Sequence, residues 1–295
     1  MTQQYDITFV GHVCFDEIVP FEGQTYQQAG SAVLCGVLAA VRTGRRIAAV
    51  VKVAPTDAAA FGAMEQAGAA VFAVPAAETT FMRVIHPSAD VDVRQMFQVR
   101  SAGPFTPAEV PALATRHTHL AGVTDQEFTL ELIAALRQRG GTLSADLQSF
   151  VRQVDPSDRQ IHFRDVAAKR EIVSQLDSVK LDVVEAKLLT GSDDLEAAAI
   201  EIASWGCPEV VVTHSAGVLA RAGGRTHYEK FSNRSTVGRT GRGDTTFAAY
   251  LSWRLENDVA ASLKFAAALV SVKMETPGPF SGTLDEVLTR MAQCH

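Results

Sequence analysis

The chain has 295 residues, of which 47% are hydrophobic and 20% charged, and its formal net charge is -6. This composition supports a large packed core and excludes long disordered or collagen-like segments. No run of five or six like charges occurs that would mark a surface for nucleic acid or for an anionic membrane. Small molecules are therefore the expected partners.

The start of the chain carries no pattern for export. Met1 leads directly into the apolar residues 7–10, without a basic segment followed by a long apolar run and without a small-residue cleavage site. The four cysteines form no Cys-x-x-Cys pair, which argues against a zinc ribbon or a disulfide framework. We therefore expect a reduced protein that stays in the cytoplasm.

Predicted strands and helices alternate along the first third of the chain. Strands are expected at 7–10, 47–53 and 69–74, and helices at 31–41 and 57–67. The same alternation resumes near residue 118 and continues to a last pair of helices at 245–256 and 260–274. Because this order is typical of a parallel sheet covered by helices, we predict an α/β fold.

Two segments, 16–28 and 80–100, interrupt this order. Apolar and polar residues between 80 and 100 alternate with period two, which predicts a small antiparallel flap. No internal repeat, low-complexity tract or linker divides the chain. Residues 1–295 are therefore predicted to form a single domain that carries this flap.

A glycine-rich segment directly precedes the predicted helix 245–256. Gly238, Gly241 and Gly243 lie within six positions of one another. Glycines let the backbone turn tightly and present its N–H groups, and a helix N-terminus carries partial positive charge, so the segment is predicted to bind phosphate. Asp244, which follows, is either the base that accepts a proton from an attacking hydroxyl or a plain cap of the helix.

The segment Arg239-Thr-Gly-Arg-Gly-Asp-Thr-Thr-Phe247 resembles the C-terminal signature Thr-Gly-Ala-Gly-Asp of the ribokinase-like (PfkB) carbohydrate kinases, with Arg242 in place of alanine. Residues 6–16, 29–31, 144–152, 182–191 and 210–217 resemble further segments of that family, in the same order. The resemblance implies a three-layer α/β/α fold with a mostly parallel central sheet and a small β-sheet lid. It also implies ATP- and Mg²⁺-dependent phosphorylation of a hydroxyl on a small sugar or cyclitol, and Asp-Leu-Gln at 146–148 resembles the branch that contains myo-inositol kinases.

The resemblance assigns roles to individual residues. Asp244 would be the base, and Gly241, Arg242 and Gly243 would surround the transferred phosphoryl group. The implied ligands of the substrate are Asp16, Gly30, Ser31, Asp146, Gln148 and Arg152. The implied contacts of the nucleotide are Thr213, Gly217 and Thr240, and those of magnesium are Glu185 and Asp182. Gly238 stands where the family often has an Asp of a monovalent-cation site, so potassium activation is not predicted.

Several alternatives stay open at this level. Arg242 either adds positive charge to the site or faces solvent, and Asp146 and Gln148 either hold substrate or cap neighbouring backbone groups. The enzyme could instead be a nucleoside kinase on the same fold, with an aromatic clamp drawn from Phe15, Phe21, Phe81 and Phe97. It could also be a non-catalytic ligand-binding member, as the departures at Arg242, Asp182 and Ser215 suggest. The family resemblance further implies that the lid can mediate homodimer contacts.

Overall fold

The computed structural model describes residues 4–90 and 93–293. The strands in this part of the chain are β1 Gln4–His12, β2 Cys14–Val19, β3 Tyr26–Gly30, β4 Ile47–Val53, β5 Ala70–Pro75, β6 Thr80–Ile85, β7 Gln95–Arg100, β8 Ala114–Leu120, β9 Thr142–Asp146, β10 Arg152–Val154, β11 Ile161–Phe163, β12 Ser178–Asp182, β13 Glu209–Thr213, β14 Gly217–Ala222 and β15 Arg225–Lys230. The α-helices are α1 Ala32–Val41, α2 Gly62–Gln66, α3 Leu130–Gln138, α4 Gln148–Val151, α5 Lys169–Ser174, α6 Val183–Thr190, α7 Leu195–Ser204, α8 Arg242–Arg254, α9 Val259–Met274 and α10 Leu284–Gln293. The predicted helix 57–67 is divided between a 3-10 helix, Pro55–Phe61, in which the backbone of Asp57 leaves helical geometry, and α2.

A nine-stranded sheet forms the centre of the molecule. Its strand order is β15-β14-β13-β12-β9-β8-β1-β4-β5. All neighbours from β13 to β5 pair in parallel, and β14 and β15 add an antiparallel edge. Every residue of β4 is buried, as expected for a parallel strand that is covered on both faces.

Each face of this sheet is covered by its own layer of helices. Phe9 of β1 packs in one apolar cluster with Phe247 of α8 and Leu269 of α9. Its neighbour Val10 points to the opposite face and joins a second cluster that includes Ile133 of α3. These two clusters make three layers, so the predicted α/β/α fold is confirmed.

A separate four-stranded sheet is formed by the two segments that interrupt the alternation. Its order is β3-β2-β6-β7. The outer pairs are antiparallel, but the central strands β2 and β6 run parallel, so the expectation of a wholly antiparallel flap was wrong. The reason is that β2 follows β1 and β6 follows β5, and both strands leave the same edge of the parallel sheet in the same direction.

The carboxyl ends of the parallel strands meet beside the N-terminus of α8. The strands β9, β12 and β13 end at Asp146, Asp182 and Thr213, all of which are predicted site residues. Ligands of open α/β sheets bind at this edge. Among the residues described here, none of the helices combines the length and the apolar character needed to cross a membrane.

Candidate active site

The glycine-rich segment is a loop that ends at the first turn of α8. Gly241 precedes the helix with a φ of 74°, a left-handed conformation that glycine adopts without strain. The helix begins at Arg242, so the N–H groups of Gly243 and Asp244 belong to its first turn, where intrahelical acceptors are missing. Asp244 is not the residue at the cap position, so its interpretation as a helix cap was wrong. The first turn can instead receive an anion.

Gln148 orients the carboxylate of Asp244. Its Nε2 donates to Oδ1 of Asp244 at 3.2 Å and to the carbonyl oxygen of Gly122 at 2.9 Å. Gln148 is buried, whereas Asp244 is half-buried at the mouth of the site. Because both amide hydrogens of Gln148 are engaged, a contact with substrate could be made only through its Oε1. The structure thus brings Gln148 to the predicted base.

A buried ion pair lies beneath the loop. Lys180 of β12 contacts Asp146 of β9, with 2.9 Å between Nζ and Oδ1. A Cβ atom at Gly243 would lie 2.7 Å from the same Nζ, so the lysine packs directly against the first turn of α8. Burial raises the pKa of Asp146 to about 7, against the lowering effect of Lys180. Burial alone would lower the pKa of Lys180, but three carboxylates raise it above its usual value, so the lysine stays charged.

The two predicted magnesium ligands are joined through the start of α6. Oδ1 of Asp182 accepts from the N–H groups of Val184 and Glu185, and Oε2 of Glu185 accepts from the N–H of Asp182. Oε1 of Glu185 lies 3.4 Å from Nη2 of Arg152. Burial and the nearby Asp182 raise the pKa of the Glu185 carboxyl, although Lys180 and Arg152 oppose the rise.

These two carboxylates fit a magnesium ion. Carboxylate oxygens are the ligands that Mg²⁺ prefers, and the ion commonly takes only one or two of them. The two side chains bond to each other's backbone N–H groups at the start of α6, so their carboxylates lie close together. A divalent cation would neutralise them.

The predicted acceptor residues Asp16 and Gly30 lie side by side in the small sheet. A Cβ at Gly30 would lie 2.0 Å from Oδ2 of Asp16, so only glycine leaves room for this carboxylate. Burial raises the pKa of Asp16 to about 6, although a hydrogen bond from Cys14 opposes the rise. Ser31 follows with a φ of 136°, and its Oγ accepts from the N–H of Leu34 at the start of α1. Strained backbone of this kind is common at ligand sites.

The three predicted nucleotide contacts lie in different surroundings in the structure. Thr213 is buried at the end of β13, and its Oγ1 would lie 3.8 Å from a Cβ atom at Gly243. Thr240 is exposed in the loop itself. Gly217 lies against β15, because a Cβ there would be 2.4 Å from the carbonyl oxygen of Glu229. The close approach of two strands therefore explains this glycine without a nucleotide.

The aromatic residues of the small sheet face away from Asp16. Phe15 pairs with Phe81 across β2 and β6, and Phe97 pairs with Arg83 across β7 and β6. Successive residues of a strand point to opposite faces, so Phe15, Phe81 and Phe97 share the face opposite Asp16. Phe21 lies in the connection between β2 and β3 and is 53% exposed. Phe15, Phe81 and Phe97 therefore form no aromatic clamp on the side of Asp16.

Two lysines of the site were missed from the sequence. Lys180 lies within the apolar strand β12, and Lys273 lies in the last turn of the apolar helix α9. Both side chains are buried, with 2% exposure each. Each of these lysines stands alone within an apolar run of the sequence. This pattern could have indicated a buried charge with a specific partner, since lysine is rarely buried without one.

A helix N-terminus that can receive an anion, with a carboxylate in its first turn, is typical of kinases that transfer a phosphoryl group to a hydroxyl. Residues 63–285 match the family described as pfkB family carbohydrate kinase. This match covers most of the chain, and the chain belongs to that family. The predicted family and the predicted activity, phosphorylation of a small sugar or cyclitol, are therefore confirmed.

Similarity to solved structures and to a curated relative extends over nearly the whole chain. A pyrophosphate-dependent kinase of the ribokinase family, complexed with a pyrophosphate analog and myo-inositol, is 31% identical with a TM-score of 0.87, over 96% of this chain and 99% of that chain. Arabidopsis thaliana ribokinase, complexed with ribose and ATP, shares the fold at 16% identity and a TM-score of 0.76, over 98% of this chain and 99% of that one. The cytidine kinase of Thermococcus kodakarensis is 23% identical over 256 residues, which are 84% of this chain and 87% of the relative.

Proposed function

We propose that this kinase phosphorylates a ring hydroxyl of a cyclitol such as myo-inositol, with Asp244 as the base and pyrophosphate as the preferred donor. The observation that carries the proposal is the placement of Asp244 in the first turn of α8, with its carboxylate held by Gln148 rather than used as a cap. A carboxylate beside an anion site repels a negatively charged donor. Its presence there is explained if the carboxylate accepts the proton of the attacking hydroxyl.

The transfer step follows from this placement. Asp244 accepts the proton of the acceptor hydroxyl while the hydroxyl oxygen attacks the terminal phosphorus of the donor, and the bond from that phosphorus to the bridging oxygen breaks. The N–H groups of Gly243 and Asp244 face the charge that develops on the phosphoryl oxygens. The ammonium of Lys180, directly beneath Gly243, adds a positive charge there. Asp182 and Glu185 would hold Mg²⁺, which neutralises donor oxygens.

The donor preference rests on the charge of the loop. Arg242 replaces the alanine of the family signature, and its charge lowers the pKa of both His214 and Lys273, after the larger effect of burial. Arg242 is also the first residue of α8, next to the N–H groups of its first turn. Pyrophosphate has no base or ribose to bind, so its affinity must come from charged and hydrogen-bonding groups. The structure that is 31% identical is described as pyrophosphate-dependent, whereas the ATP complex is only 16% identical.

The acceptor would lie between the two sheets. Asp16 and Gly30 belong to the small sheet, and Asp244 belongs to the first turn of α8. The ionised Asp16 can accept two hydroxyl hydrogen bonds from a polyhydroxylated ring. We propose that the small sheet closes over this acceptor as a lid and excludes water, as kinase lids do.

The test compares pyrophosphate and ATP as donors for myo-inositol, ribose, glucose and cytidine, with magnesium present and the phosphorylated product measured directly. We expect turnover of the cyclitol with pyrophosphate to exceed turnover with ATP. Arg242→Ala, which restores the residue of the family signature, should lower kcat/KM for pyrophosphate more than for ATP. Efficient ATP turnover without pyrophosphate turnover would refute the donor assignment, and phosphorylation of cytidine alone would identify a nucleoside kinase.

A further inference from the structure

Lys273 ties the anion-binding loop to the end of α9. Its Nζ donates to the carbonyl oxygens of Gly238 and Thr240, two positions of the loop. The N–H of Gly238 donates in turn to the carbonyl oxygen of Met274 at 2.8 Å. The loop is therefore fastened to one helix end by three hydrogen bonds, and two of them come from one ammonium group.

The hydrogen bond to Thr240 decides which way the next N–H group points. In a trans peptide unit the C=O and the N–H point in opposite directions. Because the carbonyl oxygen of Thr240 points to Nζ of Lys273, the N–H of Gly241 points away from that lysine. Gly241 is the N-cap residue of α8. Lys273 thus presents one further N–H donor beside those of Gly243 and Asp244.

A buried ammonium is a costly way to fasten a loop, unless its charge is used. Taking a charged group out of water is unfavourable, and here the partners of Nζ are neutral carbonyls. Burial and the nearby Arg242 lower the pKa of Lys273, while Cys35 and Asp244 oppose that change. An apolar residue could fill the same volume at lower cost, but it would leave both carbonyls without a donor.

The loop has no room for a side chain at Gly238, so no second charged group can stand there. A Cβ at this position would lie 1.9 Å from the carbonyl oxygen of Thr276 and 2.7 Å from that of Lys273, so no acidic side chain can stand there to recruit a metal cation. The carbonyl oxygens that a loose cation could bind are already occupied by Nζ of Lys273.

We propose that Lys273 is a positioning residue that serves as a built-in cation. It orients the loop carbonyls so that the N–H of Gly241 faces the donor phosphate, and the enzyme consequently needs no monovalent metal ion. The inference rests on the proposed role of the loop in phosphoryl transfer.

The test measures kcat and KM of the wild type, Lys273→Met and Lys273→Gln in potassium, ammonium, sodium or choline chloride at one ionic strength. Lys264→Met removes a positive charge from the same helix and is the matched control. We expect wild-type kcat to be insensitive to the cation. Loss of one oriented donor costs about 100-fold in kcat, so Lys273→Met should fall by about that factor while KM for the acceptor changes little. Potassium or ammonium should restore part of the loss, and sodium or choline should not.

The outcomes separate the inference from the proposed function. A wild type without turnover would contradict the proposed function, whereas a normal wild type with a normal Lys273→Met would overturn the inference alone. A wild type stimulated several-fold by potassium would also overturn it, and this result needs no folded variant. A loss in Lys273→Met that no cation restores, matched by an equal loss in Lys264→Met, would reduce Lys273 to a structural role.

Discussion

Replacing Lys180 with methionine tests the buried ion pair beneath the loop. Both partners are almost fully buried, with 2% exposure for Lys180 and 0% for Asp146. Removing one partner of such a pair costs about 3–5 kcal/mol when the other charge stays buried. Asp146 can escape this cost by taking up a proton, since burial already raises its pKa to about 7 with the lysine present.

Because Asp146 can take up a proton, the destabilisation caused by Lys180→Met depends on pH. In Lys180→Met the folded pKa of Asp146 rises further above its unfolded value of 3.8, so the folded state binds more protons than the unfolded state across a wide range. Stability then falls as pH rises, by about 1.4 kcal/mol for each pH unit. Between pH 6 and pH 8 the variant should lose about 3 kcal/mol, whereas the wild type, which titrates near pH 7, should lose about half of that.

Urea unfolding at pH 6, 7 and 8 measures this difference. The matched control is the double variant Lys180→Met with Asp146→Asn, which cannot titrate at this pair and should show neither the steep slope nor the full destabilisation. A Lys180→Met variant whose deficit is the same at pH 6 and pH 8 would refute the reasoning. So would a double variant that is as unstable at pH 8 as the single one.

The remaining predictions concern the base and its neighbours. Asp244→Asn should lose about 100- to 10,000-fold in kcat with the fold intact by circular dichroism; a variant that keeps its turnover would exclude Asp244 as the base. Gln148→Leu should lower kcat about tenfold through the lost hydrogen bond to Asp244, with KM little changed; a change in KM alone would mean that Gln148 binds substrate instead. The folded pKa of Asp16 lies above its unfolded value, so stability falls as pH rises from 4 toward 6; Asp16→Asn should remove this fall, which is at most about 3 kcal/mol. Urea titration at pH 4 and pH 7 checks it, and an equal pH response in both proteins would contradict it.

Much of the architecture could be read from local patterns. The alternation of strands and helices predicted the three-layer fold, because an apolar run between turn residues can be recognised from the local sequence alone. The glycines before α8 likewise predicted an anion site and its acid, Asp244, within a few residues of one another. The paired orientation of β2 and β6 was missed, since the direction of pairing depends on where two distant strands leave the main sheet.

The contacts that tune the site were decided only by the tertiary structure. Gln148 meets Asp244 across 96 positions of the chain, and Lys273 meets Gly238 across 35. No local pattern records such pairs, because the packing of whole elements sets the distance between them. The sequence by itself therefore determined the fold class, and it predicted the phosphate loop and the acid beside it. The fold decided which amide contacts that acid, which lysines lie under the loop, and that Phe15, Phe81 and Phe97 lie on the face of the small sheet opposite Asp16.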